Sequence, residues 1–298
     1  MKALPKGMIV PLITPFNEDE SIDFEGYRKV IDHVIDKGIH GVLAAGSTGE
    51  YHTMTKEEHK SVIKKACEFV GGRVPVMAGI SQTTARATIE FAKYAADCGA
   101  TWGLVLPPYY QPTTRQGVYD FFKEIAENSP VGIVIYNNPL ATGVELEPEL
   151  LYELSLLENI VSVKDTSDQE HTCKVIALTK DVSDFTVITG YEHLMLPTFS
   201  VGGDGAFAII MNLLPGEMVE LYQLSVEQND FAKAAELNRK YAKMYGMMEA
   251  EPYPGPVKAA MELIGLPGGP VRKPLTQPSE ATRKAFAEEL KKIGYSIK

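Results

Sequence analysis

The sequence is poor in cysteine, in positive charge and in long apolar runs. Its 298 residues include three cysteines, Cys67, Cys98 and Cys173, which lie far apart and form no CxxC pair. This spacing argues against a disulfide framework and against a zinc cluster. We therefore expect no metal site, and we expect the cysteines to be small buried residues of helices.

The shortage of positive charge limits the possible partners. The 39 acidic residues outnumber the 29 lysines and arginines, which gives a formal net charge of −10. Such a balance disfavours a general surface for nucleic acid or anionic membranes, but it is compatible with a local site for a small anion. No apolar run reaches the roughly 18 residues of a membrane span, and the N-terminus lacks the apolar segment of a signal peptide. We expect a cytoplasmic protein that binds neither nucleic acid nor membrane.

Short apolar runs alternate with amphipathic stretches along the first two thirds of the chain. The runs are rich in valine and isoleucine and lack polar alternation, which is typical of strands buried on both faces of a parallel sheet. The eight predicted strands are Met8–Thr14, Gly41–Ala45, Pro75–Gly79, Gly103–Leu106, Gly132–Tyr136, Ile160–Lys164, Thr186–Thr189 and Gly205–Ile209.

Helices are predicted between these strands. Phe24–Asp36 has an apolar stripe at helical spacing, and Thr84–Cys98 begins at a threonine cap and ends before a glycine. Eight strand–helix units favour an α/β fold of the (β/α)8 TIM barrel type over an open doubly wound sheet. A GxGxxG motif after the first strand is absent, which weighs against a dinucleotide fold.

The pattern changes after the eighth predicted strand. Four helical stretches follow with no strand between them, and they are Pro215–Gln228, Asp230–Glu249, Pro256–Ile264 and Ser279–Ile293. We predict that residues 1–212 form the catalytic barrel and that residues 213–298 form a helical extension packed on it.

Polar residues at the carboxyl ends of barrel strands are the candidates for chemistry, because barrel active sites lie there. Lys164 ends the apolar sixth strand. Burial disfavours its cationic form and so favours the neutral amine that attacks a carbonyl. The alternatives are an exposed lysine just past the strand and an ion pair with Asp165.

Two further strand ends carry hydroxyl groups. Tyr136 ends the fifth strand, where a phenol can relay a proton; the alternative is a half-buried tyrosine at the edge of the core. The second strand runs into a turn, Gly46–Glu50, that contains Ser47 and Thr48. Its hydroxyls and N–H groups suit a carboxylate, although the turn lacks the lysine and spacing of a P-loop.

Taken together, the strand-end motifs resemble the dihydrodipicolinate synthase/N-acetylneuraminate lyase family over almost the whole chain. Several motifs in the right order are far more specific than any one alone. They are Pro11–Phe16 (PLITPF), Gly46–Glu50 (GSTGE), Pro108–Tyr110 (PYY), Tyr136–Pro139 (YNNP), Val163–Asp165 (VKD) and Gly268–Leu275 (GGPVRKPL).

The resemblance implies a class I lyase and gives roles to single residues. Lys164 would form an imine with pyruvate or another 2-oxo acid, and Tyr136 would shuttle protons to and from it. Ser47 and Thr48 would hold the carboxylate of this substrate, with Thr48 also in the proton relay. Tyr110 would reach the active site of a neighbouring subunit in a homotetramer built as a dimer of dimers. No metal or organic cofactor is implied, because the imine is itself the electron sink.

Departures from the family pattern concern the second substrate. Ala141 stands where the synthase branch has an arginine that binds the carboxylate of the aldehyde partner. In the segment that begins at Gly190, Glu192 aligns with a carboxylate that binds sugar hydroxyls in the sialic acid lyase branch; the alternative is a solvated helix start. Phe207 either narrows the pocket or belongs to the core.

Three functions remain open from the sequence. The first is cleavage or dehydration of a 2-keto-3-deoxy sugar acid, the second is dihydrodipicolinate synthesis with another cation in place of the arginine, and the third is a non-catalytic binding protein with the same fold. The intact set of Lys164, Tyr136 and Thr48 argues against the third. The histidines show no metal-binding spacing and are expected on helix surfaces or loops; they include His33, His40, His52, His59 and His171.

Overall fold

The computed structural model describes residues 3–111, 113–248 and 252–297 of the chain. Eight parallel strands close into a barrel in chain order, with the last strand paired to the first. The predicted (β/α)8 fold is therefore confirmed. The strands are β1 Gly7–Pro11, β2 Gly41–Ala44, β3 Val76–Gly79, β4 Trp102–Val105, β5 Gly132–Asn137, β6 Ile160–Asp165, β7 Thr186–Thr189 and β8 Gly205–Ala206.

Helices surround the barrel and follow the strands in order, as in other barrels of this type. The strands are apolar on both faces because one face fills the barrel interior and the other packs against these helices. The helices are α1 Phe24–Asp36, α2 Lys56–Val70, α3 Ala85–Cys98, α4 Arg115–Asn128, α5 Pro139–Thr142, α6 Pro148–Ser155, α7 Gln169–Thr179, α8 Met195–Ser200 and α9 Pro215–Tyr222.

Local signals set several helix ends as predicted. The Thr84 side chain accepts a hydrogen bond from the N–H of Ala87 at the start of α3, and Gly99 ends that helix with a φ of +95°. The left-handed conformation suits glycine because it has no Cβ. Helix α2 begins with a capping box, in which Thr55 and Glu58 each accept from the other's backbone.

Two strands are shorter than their apolar runs. Strand β1 ends at Pro11 although the predicted run continues to Thr14, and β8 ends at Ala206 rather than at Ile209. The Asn212 side chain explains the first difference, since its amide donates to the carbonyl of Pro11 (2.9 Å) and accepts from the N–H of Ile13 (3.1 Å). The residues beyond the strands stay buried, so hydrophobicity alone overstates strand length.

One helix of the predicted extension packs against the barrel. Helix α9 packs against β1 and completes the outer ring, and a π-helical turn, Gln223–Glu227, follows it. The extension then consists of α10 Phe231–Met248, α11 Gly255–Leu263 and α12 Glu280–Lys292. Periodicity could not tell a barrel helix from an extension helix, because both present one apolar face. The predicted end of the second helical stretch, Glu249, lies outside the described residues.

Two further expectations concern the burial of the cysteines and the absence of a membrane-spanning segment. Cys67, Cys98 and Cys173 are free thiols in α2, α3 and α7, and each is half-buried rather than fully buried. No described helix combines the length and the apolar composition that crossing a bilayer requires.

A buried ion pair fastens the extension to the barrel. The Lys258 ammonium of α11 donates to Glu50 Oε1 (2.7 Å) and to the carbonyls of Thr14 (3.0 Å) and Pro270 (2.6 Å). The second oxygen of Glu50 accepts from the N–H of Arg272 (2.9 Å). The side chains of Glu50 and Lys258 are 0% and 1% exposed, so the pair satisfies its polar groups without help from water.

We predict that Lys258→Met lowers the free energy of unfolding by about 3–5 kcal/mol, because it leaves the Glu50 carboxylate buried without a cation. Urea unfolding measures the change. The control is Lys174→Met, since the Lys174 side chain is 59% exposed and pairs with Glu170, whose side chain is 77% exposed; we expect it to cost about 1 kcal/mol or less. Equal effects of the two substitutions would contradict the prediction.

Candidate active site

A cavity of about 440 Å³ opens at the carboxyl ends of the strands. This is the end at which barrel enzymes carry their active sites. The cavity brings together residues at or just beyond the ends of β1, β2, β5, β6, β7 and β8 and one residue of the extension. Its lining is Pro11, Ser47, Tyr136, Asn138, Leu140, Ala141, Lys164, Thr166, Gly190, Tyr191, Glu192, Phe207, Ile209 and Tyr253.

Lys164 projects from β6 into this cavity and is only 6% exposed. Its Nζ atom lies 4.1 Å from the ring centroid of Tyr136 and 5.3 Å from that of Phe207. The alternative of an exposed lysine past the strand is therefore wrong. Aromatic walls restrict the access of water to the amine, and the amine faces the space in which a ligand would sit.

Asp165 does not pair with its neighbour Lys164, because successive residues of a strand point to opposite faces. Its carboxylate accepts from Asn137 Nδ2 (2.8 Å) and Thr172 Oγ1 (2.7 Å), and it lies 3.0 Å from His171 Nδ1. The negative charge of Asp165 is thus held behind the barrel wall. This leaves the Lys164 amine without a carboxylate partner among the described ion pairs.

Two histidines are buried, which corrects the expectation of surface or loop positions. His171 lies between Asp165 and the carbonyl of Leu146 (2.9 Å), and burial would lower the pKa of His171, but its hydrogen bond to Asp165 and the charge of Asp165 raise that pKa to about 8. His59 Nε2 lies 2.7 Å from the carbonyl of Gly79. Both support strand ends. No cluster of three or more potential metal ligands occurs in the ranges that the structure describes.

Tyr136 lies beside Lys164 with its phenol prepared for proton transfer. Burial would raise the pKa of Tyr136, but the charge of Lys164 and the hydrogen bond from Asn138 Nδ2 (2.8 Å) act against burial and bring the pKa below its usual value. A phenol that ionises more easily than usual is suited to give and take protons next to an amine. Asn138, which sequence analysis did not single out, thus acts on Tyr136.

The turn after β2 is built to present backbone donors. Ala45, just before the turn, and Glu50, its last residue, both have left-handed φ values, +54° and +58°. Such conformations strain residues other than glycine and are common at functional loops. Within the turn, Gly49 and Glu50 donate back to Gly46 and Ser47 (3.0 Å each), whereas no described residue accepts from the N–H of Ser47 or Thr48. Two adjacent N–H groups of this kind suit a carboxylate.

The two hydroxyls of this turn occupy different positions. Ser47 lines the cavity with Lys164 and Tyr136. Thr48 is 2% exposed, and its hydroxyl is hydrogen bonded to the hydroxyl of Tyr253. Tyr253 precedes α11 in the extension and was missed by sequence analysis, because nothing in a segment between two helical stretches indicates which residue reaches back over a barrel mouth.

Gly190 is present for a steric reason. A Cβ atom at this position would lie 1.9 Å from Thr166 Oγ1 and 3.0 Å from Lys164 Cε. Any side chain would therefore push Thr166 aside and crowd the lysine. Thr166 lines the cavity two residues after Lys164 and is a second residue that sequence analysis missed.

Glu192 lines the cavity but is also committed to the backbone. It is 3% exposed, and its Oε1 accepts from the N–H of Ile209 (2.6 Å) and from that of Ile210 (3.2 Å). A solvated helix start, the alternative for this residue, is therefore wrong. Phe207, 1% exposed, belongs to the core of the barrel and also to the cavity wall.

Charge is scarce in the lining. Among the described residues that line the cavity, Lys164 and Glu192 are the charged ones, and no arginine takes the place that Ala141 leaves. Ala141 and Leu140 lie at the mouth, with Leu140 87% exposed. Tyr110 is 78% exposed, so little of its side chain packs on its own barrel.

A barrel cavity with a buried lysine beside an activated tyrosine defines a class of enzyme, the class I lyases that act through a lysine imine. The model of the dihydrodipicolinate synthetase family matches residues 4–293. The 4-hydroxy-tetrahydrodipicolinate synthase of Methanospirillum hungatei is 37% identical over 288 residues, 96% of this chain and 98% of the relative. The 4-hydroxy-tetrahydrodipicolinate synthase of Methanocaldococcus jannaschii is 37% identical over 290 residues, which are 97% of this chain and 99% of the relative.

Solved structures agree with this assignment. Thermotoga maritima dihydrodipicolinate synthase superimposes with a TM-score of 0.94 at 31% identity and covers 98% of this chain and 99% of its own. YagE of Escherichia coli K12, a member of the same family in complex with pyruvate, has a TM-score of 0.94 at 31% identity and covers 98% and 100%. The chain belongs to the dihydrodipicolinate synthetase family, and it is an enzyme of the class I lyase type.

Proposed function

We propose that Lys164 attacks the ketone of pyruvate and forms an imine, with loss of water. The observation that carries this proposal is a nearly buried amine that faces the cavity, lies 4.1 Å from the ring of Tyr136 and has no carboxylate partner among the described ion pairs. Tyr136 supplies and removes the protons of imine formation. The imine withdraws electrons from the neighbouring carbon, so the reaction uses no metal or organic cofactor.

The carboxylate of pyruvate binds at the turn after β2. Ser47 offers its hydroxyl from the cavity wall, and the N–H groups of Ser47 and Thr48 add two backbone donors. Pyruvate in the complex of YagE supports this class of substrate. Gly190 leaves the space in which the imine carbon and Lys164 meet.

For the second substrate, the relatives favour aspartate semialdehyde. Several proteins that are 34–38% identical over about 97% of the chain are named 4-hydroxy-tetrahydrodipicolinate synthase. These names support condensation of pyruvate with the semialdehyde better than they support a reaction on a sugar acid. We take this synthesis as the first candidate.

The cavity favours a second candidate, a 2-keto-3-deoxy sugar acid that is cleaved or dehydrated through the same imine. Ala141 offers neither charge nor donor to a second carboxylate, and no arginine lines the described cavity. The Glu192 carboxylate would repel such a group. Hydroxyls of Thr166 and Tyr191 in the lining instead suit a hydroxylated partner.

The imine is testable directly. Pyruvate with borohydride should add one adduct to the wild-type chain, at Lys164, because reduction fixes the imine. Peptide mass mapping locates the adduct. Lys164→Ala should lose both adduct and turnover but keep its fold, since the side chain lines a cavity. An adduct on another residue, or none in the wild type, would refute the mechanism.

The second substrate is tested by comparing kcat/KM for pyruvate plus aspartate semialdehyde with kcat/KM for several 2-keto-3-deoxy sugar acids. A charge-assisted bond to a carboxylate contributes roughly 1.5–3 kcal/mol, so loss of an arginine costs about tenfold or more. Ala141→Arg should therefore raise use of the semialdehyde by about tenfold and leave the sugar acids unchanged. If the wild type prefers the semialdehyde by more than tenfold, the sugar-acid candidate is wrong.

We further propose a homotetramer, a dimer of dimers, in which Tyr110 enters the cavity of a neighbouring subunit. The support is the family resemblance together with the 78% exposure of Tyr110, which is high for an aromatic side chain. Light scattering at micromolar concentration should give the mass of four chains. A fully active monomer would contradict this assembly.

A further inference from the structure

Tyr253 is the one described residue of the C-terminal extension that lines the cavity. It lies near the turn after β2, because its hydroxyl is hydrogen bonded to the hydroxyl of Thr48. The bond joins residues 205 positions apart in the chain. It therefore exists only because the extension folds back over the barrel mouth.

The relative burial of the two residues decides which hydroxyl a ligand meets. Thr48 is 2% exposed, whereas Tyr253 is half-buried and forms part of the cavity wall. A ligand in the cavity therefore contacts Tyr253 before it contacts Thr48. This differs from the resemblance, which assigns contact with the substrate carboxylate to Thr48.

Two contacts fix the position of Tyr253. Thr48 holds its hydroxyl, and five residues further on Lys258 donates to Glu50, two residues after Thr48 in the same turn (2.7 Å). A side chain fixed in this way loses little conformational entropy when it binds a ligand.

We propose that Tyr253 contacts the carboxylate of the 2-oxo acid, and that Thr48 is a positioning residue which holds Tyr253 in place; this rests on the function proposed above. Thr48 donates to the phenol oxygen of Tyr253, and the phenol donates to the carboxylate. The carboxylate is the group expected at this wall because Ser47 and the N–H groups of Ser47 and Thr48 lie in the same turn. The extension thereby supplies part of the substrate site within the subunit.

The test compares pyruvate with pyruvamide, which keeps the ketone but lacks the negative charge. The half-saturating concentration for borohydride trapping is measured for the wild type, Tyr253→Phe, Thr48→Val and the double variant. Tyr253→Phe should raise this concentration about tenfold for pyruvate, because a hydrogen bond to a charged group is lost. It should leave the value for pyruvamide within about twofold. A purely structural role would affect both ketones alike.

The double variant tests the role of Thr48. If Thr48 acts through Tyr253, the half-saturating concentration of pyruvate for the double variant should be no higher than that for Tyr253→Phe alone. Additive losses would mean that Thr48 contacts the substrate itself, and they would overturn the assignment. The matched control is Tyr295→Phe, which removes a phenol of the extension that donates to Glu217 (2.7 Å) away from the cavity, and which should bind pyruvate like the wild type.

Two failures are distinguishable. No adduct in the wild-type protein would overturn the imine mechanism and this inference with it. A normal wild-type adduct combined with an unchanged half-saturating concentration in Tyr253→Phe would overturn the inference and leave the imine mechanism intact.

Discussion

The buried ion pair of Glu50 and Lys258 is the interaction on which the site depends. Ions are costly to remove from water, and this pair is stable because each charge is also hydrogen bonded to backbone groups. Glu50 ends the turn that carries Ser47 and Thr48, and Lys258 belongs to the extension. The pair therefore fixes the position of the proposed carboxylate site and of the extension together.

The ion pair of Glu50 and Lys258 also explains how the extension comes to line the cavity. A (β/α)8 barrel provides a ring of strand ends but leaves its mouth open. Here α11 is held at the rim by Lys258, and the segment before it places Tyr253 in the cavity wall. The segment before α11 thus forms part of the cavity wall.

Separation of charge is the second organising feature. Lys164 and Asp165 are neighbours in sequence, yet the alternation of the strand sends the amine into the cavity and the carboxylate to Asn137, Thr172 and His171 behind it. An ion pair between the two would tie the amine to this carboxylate. The strand therefore leaves the Lys164 amine facing the cavity and holds the neighbouring carboxylate on the other face.

The sequence by itself determined the barrel and the main chemistry, because both are written in local patterns. Apolar runs of strand length predicted the eight strands, and Lys164, Tyr136 and the turn at Ser47 were named as candidates from their places at strand ends. Strand lengths at β1 and β8 were not predictable, since buried loops have the same apolar composition as strands. The packing of α9 on the barrel was not predictable either, since barrel helices and extension helices both present one apolar face.

The tertiary structure alone decided the contacts between residues distant in the chain. The bond between Thr48 and Tyr253, the steric reason for Gly190 and the binding of Glu192 to the backbone beyond β8 all join separate segments. So does the burial of His171, whose partners Asp165 and Leu146 lie on two different segments. A one-dimensional pattern states which face of an element is buried, but it does not state which side chain of another element meets it.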